Sequence, residues 1–185
     1  MGQYYKPIIL APKQDNQAEQ ILGWLYSHDY DCGLKLMEHS WLGNRYVQTF
    51  EKMISPEGHF HKTRVVWAGD YADHEENEEG NLYDFCGDIN KIQPKETKKD
   101  INYPYIVNHS KKLYVDKQTI PDTEEEWGIH PLPLLTCEGN GRGGGDFRGE
   151  HELIGSWARD IISVEKDIRS EEHTSELQSR ETISY

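Results

Sequence analysis

Two groups of residues carry side chains able to act on something other than their own chain. The first runs Gly139-Asn140-Gly141-Arg142-Gly143-Gly144-Gly145-Asp146-Phe147-Arg148-Gly149 and holds six glycines (139, 141, 143, 144, 145 and 149) with two arginines. Glycine lets successive backbone N–H groups turn toward one anion. Arg142 and Arg148 carry planar guanidinium forks that grip a phosphate through two parallel hydrogen bonds. Phe147 offers a ring on which a base can stack. Gly141, Arg142, Gly143, Gly144, Asp146, Phe147 and Arg148 are therefore the candidate ligand-binding residues, for a phosphate-bearing small molecule or an acidic partner surface. Gly139, Gly141 and Gly144 match the glycine spacing of a dinucleotide fingerprint, but the residues that follow are a poor start for the helix such a site needs. The Gly-Lys-Ser/Thr ending of a P-loop is missing. The plainer alternative is a wide or bulged hairpin loop whose arginines pair with the acidic surface.

The second group is His28, Asp29, Glu38, His39, His59, His61, Asp70, Asp73 and His74. Imidazole and carboxylate together suit zinc, manganese or iron. An extended His59-Phe60-His61 puts both imidazoles on one face. The alternative reading is thus a metal-dependent hydrolase, with His59, His61, Asp70 and Asp73 as metal ligands and His39 as general base beside Asp70 and Asp73. Against it stand ordinary structural roles: a turn closed by Asp70, and Glu38 and His39 bracing the following helix. His151-Glu152 lacks the second histidine of a zinc-protease helix motif. Asp73 to Glu79 lacks the ligand register of a calcium loop, and no nucleophile elbow is present. Cys32, near His28, reads as an inert thiol.

The elements that must position these groups are short. Tyr4–Leu10 and Ile21–Tyr30 have the aromatic and β-branched content of strands, with Trp24 and Tyr26 on one face and Leu25 on the other. Tyr46, Val47, Phe50, Met53 and Ile54 recur at helical spacing, with Asn44 as N-cap and Pro56 as terminator. Thr63–Ala68 reads as a central strand. Tyr103–Asn108 and Leu113–Lys117 bracket a turn as a hairpin. Leu132–Cys137 reads as an edge strand because of Pro133, and Gly155–Lys166 as a terminal strand. Strands outnumber helices and do not alternate with crossover helices. The expected class is α+β, a mostly antiparallel sheet packed by one main amphipathic helix at about 44–54.

Charge narrows the partners. The chain carries a net −13, of which −2 belongs to residues 169–185, leaving about −11 on residues 1–168. Such an acidic body repels phosphate backbones, so generic nucleic-acid binding is not expected. No apolar run is long enough to span a bilayer, and the first residues match neither a secretory leader nor a myristoylation site. Cys32, Cys86 and Cys137 read as free thiols, which fits a cytoplasmic location.

Residues 169–185, RSEEHTSELQSRETISY, match in one frame the translation of a short-read sequencing adapter with an index between Ser179 and Ile183. They are expected to be foreign and disordered, which leaves residues 1–168 as one globular domain with its natural C-terminus open. The strings MGQYY, KLMEHSWLGN (35–44), VVWAGDYAD (65–73), GNGRGGGDF and WARD resemble a family of small bacterial and phage proteins that begin MGQYY. The resemblance covers nearly all of residues 1–168. It implies a prophage or mobile-element setting, and it carries no activity, cofactor or residue role. The reading that follows is a cytoplasmic binding protein using its glycine–arginine loop, with the metal-dependent hydrolase as second reading. A host-interaction or structural protein without a small ligand is the third.

Overall fold

The computed structural model describes residues 2–93, 102–120, 128–139 and 152–168. Among these residues seven strands form one sheet: β1 (Tyr5–Leu10), β2 (Ile21–Trp24), β3 (Thr63–Gly69), β4 (Tyr105–Asn108), β5 (Leu113–Asp116), β6 (Cys137–Glu138) and β7 (Ile161–Glu165). The order is β2-β1-β3-β7-β4-β5, and β6 lies beside β3. All pairs are antiparallel except β3–β6. Among the described residues, three α-helices accompany the sheet: α1 (Leu36–His39), α2 (Arg45–Met53) and α3 (Pro131–Thr136). The expected α+β class, with a sheet-dominated antiparallel core, is what the chain forms. No helix among the described residues is long and apolar enough to cross a membrane.

The strand alternation of β3 explains its central place. Val65 and Trp67 point into the main core with Phe50, Tyr46 and Leu134, while Val66 and Ala68 join a smaller core with Ile8, Leu10 and Trp24 on the other face. A strand buried on both faces needs apolar residues at every position, and VVWA supplies them. Helix α2 covers the first face. The Asn44 side chain accepts hydrogen bonds from the N–H groups of Tyr46 and Val47, which fixes where the helix begins. The hairpin β4–β5 forms at the expected place, in the register Asn108 opposite Leu113.

Three expectations differ from the structure. Leu132–Cys137 is not an edge strand. Residues 131–136 form α3, because Pro131 sits in the first turn, where its missing N–H is harmless, and the His130 ring accepts from the Leu132 N–H. Only Cys137 and Glu138 are extended, parallel to Trp67 and Ala68. The strand from Ile21 stops at Trp24, since Ser27–Tyr30 winds into a 3-10 turn closed by Asp31 at φ 56°. The last strand begins at Ile161 and not at Gly155; it lies inside the sheet between β3 and β4. The acidic run Asp122–Glu126, whose sequence suggests one helical turn, falls outside the described residues.

One charged group sits on the buried stripe of α2. Glu51 is 3 % exposed. Its Oε2 accepts from Lys117 Nζ at 2.6 Å, just beyond β5, and its Oε1 lies 2.7 Å from His130 Nε2, at the start of α3. Burial alone would raise the Glu51 pKa, but His130 and Lys117 outweigh it and hold the carboxyl below its ordinary range. Because His130 Nδ1 accepts from Leu132, its single proton sits on Nε2 and donates to Glu51. The arrangement joins α2, the exit of β5 and α3. Removing one partner leaves a buried charge unpaired, which costs about 3–5 kcal/mol. Lys117→Met is therefore expected to lower the urea midpoint strongly, and adding Glu51→Gln to that variant is expected to recover part of the loss. Equal stability of the single and double variants contradicts the pairing.

Candidate functional site

Candidate residues Gly141, Arg142, Gly143, Gly144, Asp146, Phe147 and Arg148 lie outside the described residues. The structure does describe the stem from which that loop departs. β6 runs beside β3 with the same direction, so the chain leaving Glu138 and the chain leaving Gly69 exit the sheet at the same end. Close approach to backbone requires glycine at Gly69, while at Gly139 the crowding comes from side-chain ends. A Cβ at Gly69 would stand 2.5 Å from the Glu138 carbonyl oxygen, and one at Gly139 would stand 2.2 Å from Gln3 Oε1 and 2.8 Å from the Tyr5 hydroxyl. The stem is also pinned electrostatically. Glu138 accepts from Arg159 Nε at 2.6 Å and from Nη2 at 2.9 Å. The same guanidinium binds both carboxylate oxygens of Glu75, Nη1 to Oε2 at 3.0 Å and Nη2 to Oε1. Burial works against the Arg159 charge, while Glu75 and Glu138 raise its pKa beyond the ordinary arginine value.

The histidine–carboxylate group is spread through the fold and engaged there. His39 is fully buried. Its Nε2 accepts from the Trp67 indole N–H at 2.9 Å, so its Nδ1 carries the proton and donates to the Gly33 carbonyl at 3.0 Å. Both ring nitrogens are occupied, and burial pushes the pKa down to about 4. A general base at this position has no lone pair to offer a substrate, which removes the role the hydrolase reading asked of it.

His59-Phe60-His61 is not extended, contrary to expectation. Residues 59–62 are a turn, tied back by the Phe60 N–H to the Met53 carbonyl and completed by Lys62 at φ 56°. The His61 ring lies 2.6 Å from Glu165, and His59 is exposed. Asp70 accepts the Tyr4 N–H at 2.9 Å and so finishes the β1–β3 ladder. Asp73 and His74 are exposed in the loop that follows. Glu38 accepts from the Lys35 N–H at the start of its own short helix, and Asp29 pairs with Lys91 at 2.9 Å. Among the described residues, no group of three or more His, Cys, Asp or Glu side chains is gathered closely enough to hold a metal ion.

The three cysteines are free. Burial pushes the Cys32 thiol up to about 11 and Cys86 up to about 12, so neither is a thiolate nucleophile at neutral pH. A further polar line crosses the sheet. The Ser163 hydroxyl donates to Glu165 Oε1 at 2.7 Å and lies 2.7 Å from His109 Nε2. Serine, histidine and glutamate at these distances resemble a hydrolytic triad, but Ser163 is 0 % exposed and its proton already goes to Glu165. A substrate cannot reach it.

Sequence reading did not single out Glu51, His130, Lys117 or Arg159. Glu51 was open to detection: four residues after Val47, it is an acid on the apolar stripe of α2 and so demands a partner. The partners come from distant segments, and no local spacing announces them. Comparison of the chain with protein-family models, curated proteins and solved structures returns no match.

The His39 pKa has a consequence for acid stability. The ordinary value near 6.5 lies above the folded value of about 4, so on acidification the unfolded chain takes up the proton first. Stability is full above pH ~6.5 and is lost as pH falls toward about 4, by a total of about 3 kcal/mol for this group. His39→Gln keeps an acceptor for Trp67 and removes the titration. It is expected to flatten the plot of unfolding free energy against pH between 6.5 and 4 by about one proton. An unchanged slope contradicts the assignment.

Proposed function

We propose that the protein is a non-catalytic binding protein, and that Arg142 and Arg148 within residues 139–149 hold an anionic, phosphate-bearing ligand. The observation that carries this reading is the stem. A glycine-dense segment with two arginines leaves the sheet from a strand end held by Arg159, Glu75 and Glu138, beside a second loop that leaves the same end. Loops on rigid supports are the usual carriers of binding residues. Internal pairing of His39, His61, Asp70 and Glu165 supports binding over hydrolysis, because each has a structural partner. The acidic body around this loop favours a small ligand that Arg142 and Arg148 can reach over a long polyanion. A cytoplasmic, prophage-borne setting is part of the same proposal and rests on the free cysteines and the string resemblance.

Titration calorimetry with ATP and with inorganic phosphate tests the reading. The double variant Arg142→Ala/Arg148→Ala is expected to weaken binding at least tenfold, since each charged hydrogen-bonding partner contributes about 1.5–3 kcal/mol. Asp70→Asn is expected to leave binding intact. Loss of binding in Asp70→Asn with retention in the arginine variant reverses the assignment and favours a carboxylate site.

A further inference from the structure

A second surface differs in chemistry from the glycine–arginine loop. A cleft of about 440 Å³ opens between the approach to β2, the loop after β3 and the turn at residues 88–90. Among the described residues its wall includes Glu19, Glu75, Glu78, Ile21, Leu82 and Phe85, and no lysine or arginine lines it. The two deeper carboxylates are fixed. Glu19 takes both Arg64 Nη1 at 2.7 Å and Nη2 at 3.0 Å, and Glu75 takes the two Nη groups of Arg159. Glu78 is exposed and carries no ion pair among the described residues. Apolar surface stands next to these acids: Phe85 is 41 % exposed, and Ile89, one residue before the lining Asn90, is 93 % exposed.

We propose that this cleft docks a basic, apolar-containing peptide segment of a partner protein. The occupant seats an apolar side chain against Phe85 and Leu82 and brings a lysine or arginine to Glu78. Three observations select it. Glu19 and Glu75 are neutralised by Arg64 and Arg159, so the wall charge left unpaired among the described residues is the Glu78 carboxylate, which repels a phosphate and attracts a cation. Phe85 on the wall is 41 % exposed and gives an apolar side chain a surface to pack against, a contact that a small cation does not use. The net charge of −13 steers a basic partner toward the molecule. This proposal does not rest on the glycine–arginine loop and takes a ligand of opposite charge.

The test is fluorescence anisotropy of the full chain with two labelled peptides, acetyl-Lys-Leu-Arg-Phe-Lys-amide and its apolar-free counterpart acetyl-Lys-Ser-Arg-Ser-Lys-amide. The first is expected to bind about tenfold more tightly than the second, as one buried aromatic or aliphatic anchor provides. Phe85→Ser and Glu78→Lys, both at exposed positions, are each expected to weaken it about tenfold, and Glu78→Lys to reduce its salt dependence. Asp31→Asn removes one exposed charge outside the cleft at a left-handed residue that asparagine tolerates, and is expected to change nothing. Equal binding of the two peptides, equal losses in Asp31→Asn and Glu78→Lys, or no saturable binding overturns the proposal. So does self-association of the chain that Phe85→Ser abolishes, which makes a second copy the occupant.

Discussion

The carboxylate of Glu51 is the constraint on which the rest of the arrangement depends. An acid on the buried stripe of α2 can stay only if its charge is met inside the protein. Lys117 and His130 meet it from two other segments, one leaving β5 and one opening α3. The same His130 ring starts α3 by accepting from Leu132. Helix α3 runs straight into β6, and β6 sets the stem of the glycine–arginine loop against β3. One buried ionic group thereby connects the packing of the main helix with the strand end from which the proposed binding segment continues.

The same economy governs three further polar side chains. His39 is consumed by Trp67 and Gly33, Asp70 by the end of the β1–β3 ladder, and Arg159 by Glu75 and Glu138. Each residue type has a chemical reputation, and each is used here to satisfy a partner within the chain. A hydrogen-bonded partner inside the protein removes the lone pair or the proton that catalysis needs. What distinguishes a reactive histidine from a structural one is the number of ring nitrogens left over, and His39 has none.

Much of the fold was legible from local pattern. The Asn44 cap with its apolar stripe, the VVWA strand and the 105–116 hairpin all depend on neighbours within a few residues, so spacing alone identifies them. The segment Leu132–Cys137 was misread because a short apolar run fits a buried helix as well as a strand. Pro131 and the His130 cap decide between them, and the cap is a side-chain contact. The parallel β3–β6 pair and the interior place of β7 were illegible for another reason: they are long-range pairings that leave no period in the chain. For the sites, residue types suggested a histidine–carboxylate cluster, but proximity in three dimensions is what spacing could not supply. The acidic cleft at Phe85 was missed because its lining comes from three separate stretches.

The central claim is that the buried histidines belong to the fold and are closed to a metal or substrate. Long-range proton–nitrogen correlation spectra of the histidine rings at pH 7, with and without added zinc, test it most directly. The account predicts a neutral His39 protonated on Nδ1 and a neutral His130 protonated on Nε2, with both sets of ring-nitrogen shifts unmoved by zinc. Rapidly exchanging tautomers at His39, or zinc-dependent shifts at either ring, would contradict it and return the chemistry to the histidine–carboxylate residues.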